Sequence, residues 1–202
     1  MTNEQVKNIL EEVSEWMTAD PIETDRIVLR PFRDDESDFL DFYEFAAQKE
    51  LQRLTGMDCI DSPVSARLEF DRILPNGHPP LSFAIMLKEN MKAAGFFSIG
   101  IYPFIISDKA LENKRGVSLS FALNEKYQRT GLMTELLGCA IDYYFKHGLD
   151  FVNCGYFEFN EGSRRLQEKV GMHYYMSHTV ERDEKKINTK EMIIFSDEYR
   201  KI

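Results

Sequence analysis

The sequence predicts an α/β protein built on a mixed sheet, and two observations support this fold class. The segments with helix and strand patterns follow the order helix, strand, two helices, three strands, helix, strand, helix and a final hairpin. This order differs from the strict alternation of a parallel sheet. The chain has 202 residues, of which 43% are hydrophobic, including 15 Phe and 9 Tyr. It can therefore bury a sizeable core in one domain, and no linker or internal repeat divides it.

An amphipathic helix is predicted over residues 4–18, ending before Asp20-Pro21 because a proline disfavours helical conformation in the residue before it. Six apolar residues fall on one face at helical spacing: Val6, Ile9, Leu10, Val13, Trp16 and Met17. We therefore divide the chain into an N-terminal helical extension, residues 1–20, and a single domain, residues 21–202. The helix packs on its own domain or serves as a lid or subunit contact, and the sequence leaves these alternatives open.

The domain opens with a strand over residues 22–32 that stops at Pro31. The acidic residues that follow suit the positive N-terminus of a helix, which then continues with aromatic residues at helical spacing. Ser62 and Pro63 predict a second helix, because serine is a favoured cap and proline suits the first helical position. This helix is expected to end near Leu74, before a run rich in proline and glycine.

The middle of the chain predicts a hairpin and a third strand. Residues 81–87 and 93–101 are apolar segments joined by a plausible turn at 89–92. Residues 104–114 lack a clean period and are interpreted as a loop, and residues 116–123 follow as a strand. The other predicted elements are a helix over 130–147 closed by Gly148, a strand over 151–159, a helix over 162–170, and strands over 172–181 and 190–195 around the charged turn 182–189.

The charge balance excludes one class of partner. The net charge is −9 and the sequence pI is about 5.0, whereas a nucleic-acid surface needs clustered Lys and Arg. An acidic surface tolerates or attracts a cationic partner such as an amine, although the charge also serves simply to keep a protein in solution.

The three cysteines, Cys59, Cys139 and Cys154, are widely spaced and show no zinc-binding pattern. Free thiols in a reducing compartment are expected, with neither disulfides nor a metal. The N-terminus carries acidic residues and no continuous apolar stretch, and no run elsewhere approaches the roughly 18 apolar residues that cross a bilayer. We therefore expect no membrane partner and a cytoplasmic location.

The segment around residues 121–137 carries the clearest chemistry. A strand ends near Leu123, and Gln128, Arg129, Thr130 and Gly131 form a short loop directly before a long helix. Unpaired backbone amides and the positive end of the helix dipole would make this loop a site for a phosphate or pyrophosphate. A single glycine before a helix also occurs in ordinary turns, so these residues alone leave both interpretations open.

At this point the sequence resembles the GCN5-related N-acetyltransferase (GNAT) superfamily, in particular its subgroup of ribosomal-protein N-terminal acetyltransferases (RimJ/RimL type). The family's pyrophosphate loop has the form Gln/Arg-x-x-Gly-x-Gly/Ala, which residues 128–133 match except that Met133 occupies the last small-residue position. The subgroup often carries Gly-Tyr-Met-Thr-Glu here, to which residues 131–135 are similar. The methionine is therefore interpreted as a subgroup feature.

Two further segments carry the resemblance. Residues 160–172 resemble the family's Asn-x-x-Ser-x-x-x-x-x-Lys-x-Gly-Phe segment, and residues 27–32 resemble the Leu-Arg-Pro opening of the subgroup. The likeness covers about residues 22–196. It implies a single-domain GNAT-like fold whose mixed, mostly antiparallel central sheet is splayed between two adjacent strands, flanked by helices, with an extra N-terminal helix.

The resemblance also implies the residues that bind acetyl-CoA, the expected cosubstrate. Backbone amides of residues 128–133 would hold the pyrophosphate, and the thioester arm would enter the splay between residues 121–123 and 151–159. Asn160 would bind the pantetheine arm, the alternative being a strand-end or helix-cap role. The implied cofactor-binding residues are Phe121, Ala122, Leu123, Gln128, Arg129, Thr130, Gly131, Leu132, Met133, Thr134, Asn160 and Ser163.

Three residues are candidates for the catalytic chemistry. The amide of Leu123 would polarise the acetyl carbonyl, as an oxyanion-hole donor does. Ser163 would protonate the departing thiolate, or else is an ordinary hydroxyl at a helix start. Related enzymes often place a glutamate where this chain has Ser118, so the base is left open between Glu158 on the next strand, a water relay, and loss of catalysis. The alternative for Glu158 is an exposed strand residue.

The predicted function is transfer of an acetyl group from acetyl-CoA to a primary amine, by direct attack in a ternary complex. The acceptor is a small-molecule amine or a protein N-terminus, and residues 58–62, 63–74 and 75–80 are expected to shape its pocket. The alternative is a non-catalytic acyl-CoA-binding module or sensor. A dinucleotide-binding enzyme is disfavoured because the usual glycine-rich phosphate motifs are absent. A homodimer is left open, and no metal or catalytic role is predicted for His78, His147, His173 or His178.

Overall fold

The structure is a computed structural model that describes residues 1–182 and 184–199. Its helices are α1 (Asn3–Ala19), α2 (Glu36–Ala46), α3 (Lys49–Thr55), α4 (Pro63–Ile73), α5 (Pro103–Ser107), α6 (Leu132–Lys146), α7 (Glu161–Lys169) and α8 (Ser196–Tyr199). Its strands are β1 (Ile27–Pro31), β2 (Ser82–Leu87), β3 (Ala93–Gly100), β4 (Gly116–Leu123), β5 (Phe151–Phe157), β6 (His173–Arg182) and β7 (Lys185–Phe195). The predicted α/β class is confirmed.

The seven strands form one sheet in the order β1-β2-β3-β4-β5-β7-β6. Neighbouring strands are antiparallel except β4 and β5, which are parallel. A parallel pair needs a long crossover, and α6 supplies it between β4 and β5. The mixed, mostly antiparallel sheet implied by the resemblance is therefore confirmed.

The central pair of strands separates part way along its length. The β4–β5 register runs from Gly116↔Phe151 to Leu119↔Cys154 and stops there. Beyond that point β4 still pairs with β3 as far as Leu123, and β5 still pairs with β7 as far as Phe157. The inner edges of the two strands are therefore open toward each other, and we call this opening the gap.

The sheet buries a core on each face. On one face, α1 and α6 pack with apolar strand residues in the larger cluster, to which Val13 and Met17 contribute fully buried side chains. On the other, α2 and α4 pack over a cluster rich in phenylalanine that includes Phe42 and Phe70. The N-terminal helix therefore packs on its own domain, and Thr2 caps it through a reciprocal capping box with Gln5.

Local signals set the ends of the predicted helices. Ser62 accepts a hydrogen bond from the amide of Ser65 at the start of α4, with Pro63 in the first turn, as expected. Helix α6 begins after Gly131 and is followed by Gly148, both with φ of +84°. This left-handed conformation favours glycine because a Cβ atom would be strained there.

Three segments differ from the sequence-based expectation. Helix α3 was not predicted, because seven residues are too few to show a helical period. The segment 104–114 is not a plain loop, since Pro103 opens α5 and a short 3-10 turn follows. The charged segment 182–189 is mostly strand, because β7 begins at Lys185 and pairs with Arg182 across the hairpin.

In residues 1–182 and 184–199, no helix has the length and apolarity to cross a membrane. Within the same part of the chain, no three His, Cys, Asp or Glu side chains are grouped so that they could hold a metal ion.

Candidate active site

A cavity of about 580 Å³ opens at the gap between β4 and β5. Its walls come from α3, the segment before α5, the two splayed strands, the start of α7, and the β6–β7 hairpin. The residues that bear on its chemistry are Tyr102, Ser120, Phe121, Asn160, Ser163, His178, Thr189 and Glu191. Aromatic and aliphatic side chains supply most of the remaining wall, and the volume suits a small molecule.

At one end of the gap lies the segment 128–134, which we call the amide loop. Arg129 and Gly131 both have left-handed backbone conformations, with φ of +60° and +84°. No side chain caps α6 at Gly131, and no amide from Arg129 to Thr134 donates a hydrogen bond to a described residue. Free amides at the positive end of a helix dipole form an anion site, so this loop fits a pyrophosphate.

An ion pair that sequence reasoning missed holds the amide loop in place. Arg26 donates to Glu135 through Nε at 2.8 Å and through Nη2 at 2.5 Å, and its Nη1 donates to the carbonyl of Thr130 at 3.1 Å. The pKa of Glu135 is lowered by hydrogen bonds that include those from Thr24 and Arg26, against the opposing effect of burial. This ion pair, which we call the clamp, joins the chain before β1 to the first turn of α6. Its only sequence signal was the Gly-Leu-Met-Thr-Glu motif, residues 131–135, which contains Glu135.

The open edge of β4 presents backbone groups to the gap. Asn124 donates its amide to the carbonyl of Ala94 at 2.8 Å, on the β3 side. Backbone groups alternate between the two edges of an antiparallel strand, so the amide of Leu123 points to the other edge, toward β5. The carbonyl of Leu123 accepts a hydrogen bond from Gln128 Nε2 at 2.9 Å, which ties the amide loop to the strand.

The other predicted cofactor residues fall in four environments. Phe121 lines the cavity, whereas the Ala122 side chain is buried on the opposite face of β4, in the cluster under α2 and α4. Leu132 is buried in the core behind the loop, and Met133 packs against that core in part. Thr130 is exposed and donates its hydroxyl to the carbonyl of Tyr127 at 2.6 Å. Their side chains therefore do not share one surface.

Asn160 and Ser163 meet at the start of α7, and both line the cavity. Asn160 Oδ1 accepts from the amide of Ser163 at 3.1 Å, and its Nδ2 donates to the carbonyl of Leu54 at 3.2 Å. Asn160 is thus the cap of α7, which was the alternative considered for it. Ser163 does not cap the helix. The Oγ atom of Ser163 accepts from Gln167 Nε2 at 2.9 Å, which leaves its hydroxyl proton free for another acceptor.

Glu158 is not brought to the cavity. Its carboxylate forms an ion pair with Lys190 at 3.0 Å and accepts from Asn188 Nδ2 at 3.1 Å. These partners lower the pKa of Glu158, the hydrogen bond from Lys190 most of all. An exposed, ion-paired carboxylate of this kind is a poor proton acceptor, so the geometry does not support the base role considered for Glu158.

At the other end of the gap lies a carboxylate that sequence reasoning missed. Glu191 on β7 lines the cavity and is only 1% exposed. Ser118 donates its hydroxyl to Asn153 Oδ1 at 2.6 Å, and Asn153 Nδ2 donates to Glu191 Oε2 at 3.1 Å. Burial raises the pKa of Glu191 to about 7, against the opposing effect of the hydrogen bond from Asn153. The site therefore holds a carboxyl group that titrates near neutral pH.

His178 stands beside this carboxylate and lines the cavity, a position that the sequence did not indicate. Its Nδ1 lies 3.8 Å from Glu191 Oε1, and its ring packs against Phe104 at 4.4 Å between centroids. Burial lowers the pKa of His178, so the neutral ring is favoured. Its Nδ1 and the Thr189 hydroxyl are buried, and neither forms a hydrogen bond within the described residues. Two polar atoms near Glu191 are thus available to a ligand.

The segments expected to shape the acceptor pocket do not line this cavity. None of residues 58–80, which include α4, lines the cavity. Leu54 and Thr55 of α3 line it instead, together with residues 102–104 and the β6–β7 hairpin. The short helix α3 reaches the gap because it packs against the end of β5, where Phe157 lies under Gly56.

Comparison with known proteins agrees with this geometry. Residues 26–173 match the family model described as an acetyltransferase (GNAT) domain. This range includes β1, the amide loop and α7, and it ends at the start of β6. No curated protein sequence matches the chain significantly.

Three solved structures illustrate the likeness in fold. A GNAT-family acetyltransferase from Bacillus anthracis has a TM-score of 0.72 at 16% identity, over 88% of this chain and 99% of its own. Spermidine N-acetyltransferase from Vibrio cholerae, with CoA and spermine, has a TM-score of 0.66 at 14% identity, over 88% and 99%. An acetyltransferase from Salmonella typhimurium that modifies the N-terminal serine of ribosomal protein L7/L12 has a TM-score of 0.65 at 16% identity, over 87% and 97%.

Proposed function

The chain belongs to the GNAT family of acetyltransferases, and on that premise we propose that it acetylates a primary amine by direct attack in a ternary complex. One observation carries this proposal. The gap between β4 and β5 joins a loop of free backbone amides at one end to a cavity with a buried carboxylate at the other. The two substrates can therefore approach each other from opposite ends of one opening.

Acetyl-CoA supplies an acetyl group activated as a thioester. In our proposal the amides of the amide loop hold its pyrophosphate, and the exposed charge of Arg129 adds to their attraction. The clamp between Arg26 and Glu135 keeps the loop in this conformation before any ligand binds, which lowers the entropic cost of binding. The open edges of β4 and β5 would receive the pantetheine arm, and the backbone near Asn160 lies at their far side.

Two groups on this chain would act on the reacting bonds. The amide of Leu123 faces the gap and would donate to the oxygen of the acetyl carbonyl, where negative charge develops. The hydroxyl of Ser163, which only accepts from Gln167, would donate its proton to the departing sulfur. Both groups are fixed by secondary structure, so neither needs a large rearrangement to act.

The alternative of a non-catalytic acyl-CoA-binding module rested on the serine at position 118. Ser118 is hydrogen-bonded through Asn153 to the carboxylate of Glu191. A carboxylate is thus available in the cavity although position 118 does not supply it, and we favour the enzyme.

We propose an amine-bearing acceptor, either a small molecule or a protein N-terminus. Both kinds occur in the names of the structural relatives, which refer to spermidine and to a ribosomal protein. We further propose that the protein acts in the cytoplasm, since Cys59, Cys139 and Cys154 are all free thiols, as a reducing compartment maintains them.

A thermal-shift titration tests the cosubstrate. A ligand that binds only the folded state raises its apparent stability, by about 2.7 kcal/mol at one hundred times the dissociation constant. We expect upward shifts of the melting temperature with acetyl-CoA and CoA, and none with ATP or NAD at the same concentration. If neither CoA compound shifts the melting temperature, the amide loop does not bind the cofactor and the proposed function fails.

A further inference from the structure

The carboxylate of Glu191 lies at the apex of the gap. The last paired residues of β4 and β5 are Leu119 and Cys154, and Gly155 is the first residue of β5 beyond them. Glu191 is the partner of Gly155 in the β5–β7 register. A Cβ atom on residue 155 would lie 2.5 Å from Glu191 Oε1, so only glycine admits the carboxylate at this position. The side chain is therefore set directly where the two strands separate.

Hydrogen bonds from neighbouring strands hold the carboxylate there. The amide of Tyr102 donates to Ser118 Oγ at 3.3 Å, and Ser118 and Asn153 continue the chain of donors to Glu191 Oε2. Oε2 is thus occupied, while Oε1 faces the cavity near His178. One oxygen is anchored and the other has room for a ligand proton.

The rest of the cavity is lined mainly by aromatic and aliphatic side chains, with the polar groups of Ser120, Asn160, Ser163, His178 and Thr189 among them. Glu191 is its only acidic residue among the described residues that line it, and no Lys or Arg lines it. The aromatic and aliphatic residues of the cavity wall include Leu54, Phe96, Tyr102, Pro103, Phe104 and Val180. One buried negative charge can compensate one ammonium group, and a second charge in such a wall would lose its hydration without an ionic partner.

These observations define a ligand. We propose that the part of the cavity beside Glu191 is the acceptor site, that it takes a primary monoamine with an apolar or aromatic body, and that Glu191 receives the proton of the bound ammonium group. The proposal rests on the acetyltransferase function proposed above and specifies its substrate class and its base. The pyrophosphate end of the gap plays no part in this choice.

The protons and bonds balance as follows. The ammonium group gives one proton to Glu191 and becomes a neutral amine. Its nitrogen forms the new bond to the acetyl carbon while the carbon–sulfur bond breaks, and the second nitrogen proton reaches the departing sulfur through Ser163. The products are the N-acetylated amine and the free thiol, and the proton on Glu191 returns to solvent. His178 Nδ1, 3.8 Å from Oε1, is in position to assist that return.

The groups that face Glu191 come from four elements. They are Tyr102 in the segment before α5, Ser118 on β4, Asn153 and Cys154 on β5, and His178 on β6. None is a cation at neutral pH, because burial lowers the pKa of His178 and raises the pKa of Tyr102 and of the Cys154 thiol. An incoming ammonium group would be the first positive charge at this carboxylate.

The test compares Glu191→Gln with Glu181→Gln, which makes the same chemical change at an exposed position on the same hairpin. Steady-state acetylation of phenethylamine, spermidine and a serine-initiated hexapeptide is followed by thiol release. We expect phenethylamine to be the best of the three by about tenfold or more in kcat/KM. We expect Glu191→Gln to lower that kcat/KM by about a hundredfold or more, and Glu181→Gln to leave it unchanged.

The pH profile gives a second readout that a merely structural role would not move. In the wild-type protein kcat/KM should rise with pH and level off above about 7, where Glu191 is ionised. In Glu191→Gln it should keep rising toward the pKa of the free amine, because only neutral amine can then react. Calorimetric titration of phenethylamine into the CoA complex should show binding to the wild type and none to Glu191→Gln.

Three results would overturn the inference while leaving the proposed function intact. The first is a Glu191→Gln variant that acetylates any amine as fast as the wild type. The second is a preference for spermidine or the peptide over phenethylamine. The third is a protein that binds acetyl-CoA but neither binds nor acetylates phenethylamine. A larger loss from Glu158→Gln than from Glu191→Gln would also overturn it. Failure to bind acetyl-CoA would overturn the proposed function first, and this inference with it.

Discussion

The two ends of the gap are built from different parts of the chain in different ways. The amide loop is seven consecutive residues, and its ligand groups are backbone amides near the molecular surface. The carboxylate end combines Ser118, Asn153, His178 and Glu191, which come from four strands and are separated by up to 73 positions, as their numbers show. The first is a local structure and the second exists only when the sheet has formed.

This difference has an energetic consequence. Free amides at an exposed loop keep water as a hydrogen-bond partner until a ligand binds. The amide loop therefore lowers the stability of the fold very little in the absence of ligand. Glu191 is buried, and burial of a carboxylate disfavours its charged form. The carboxylate end is therefore expected to lower the stability of the fold at neutral pH, while the amide loop is not.

The largest effect is expected from a charge in the amide loop. Gly131→Glu should weaken acetyl-CoA binding by at least about a hundredfold, because a carboxylate would stand where the pyrophosphate binds. The φ of +84° at this position adds strain of about 1–2 kcal/mol for any residue with a Cβ atom. Isothermal calorimetry measures the affinity.

Gly148→Glu is the matched control for this prediction. It has the same φ of +84° at the other end of α6, and nothing lies within 4 Å of an added Cβ. It should lose similar stability and keep wild-type affinity. Equal affinity in a folded Gly131→Glu protein would contradict the assignment of the amide loop.

The next effect concerns stability at the carboxylate end. The pKa of Glu191 is about 7 in the folded state and near 4.5, an ordinary value for a glutamate, in the unfolded state. The folded state therefore binds more protons between these two pH values. The contribution of Glu191 to the free energy of unfolding is therefore intact below pH 4.5. It is lost as the pH rises through 7, which lowers the free energy of unfolding by about 3 kcal/mol. Glu191→Gln lacks this dependence, so its free energy of unfolding should rise relative to that of the wild type between pH 5 and pH 8.5.

Urea unfolding at the two pH values measures the difference. All other titrating groups are shared by both proteins. The change with pH in the difference between their free energies of unfolding therefore reports on Glu191. Parallel pH dependence in the two proteins would mean that the carboxyl group is not desolvated as its burial indicates.

The smallest effect is expected from the loss of the Ser163 hydroxyl. Ser163→Ala should lower turnover by about tenfold or more, since the hydroxyl would no longer donate to the departing sulfur. The affinity for acetyl-CoA should change by less than about threefold, the net value of one hydrogen bond. Ser107→Ala, which removes an exposed hydroxyl of α5, should change neither. Unaltered turnover in Ser163→Ala would leave the residue with a structural role.

The sequence located the amide loop because its signal is local. A strand end, a glycine and a long amphipathic helix follow one another within a few residues, and their order alone places the amides. The long helices α1 and α6 were predicted for the same reason, since each spans several periods. The short helices α3 and α5 were missed, because neither is long enough to establish one.

Glu191 was missed although a partial signal was present. Thr189, Glu191 and Ile193 alternate on one face of β7, and the burial of all three shows that this face is inward. Alternation could have marked the glutamate as facing inward beside Ile193, but the predicted strand began only at Lys190, and Thr189 was assigned to the charged turn 182–189. Glu158 was considered in its place because it belongs to the next predicted strand, which says little about which side chains reach the gap.

The sequence by itself determined the family, the elements with long periods and the loop to which we assign the pyrophosphate, because each depends on residues close together in the chain. Only the tertiary structure decided which carboxylate reaches the gap and which side chains surround it. Strand order sets that choice: β7 lies next to β5, and Gly155 leaves space for the side chain of its partner. Such neighbours are fixed by the assembly of the sheet, which no single segment encodes.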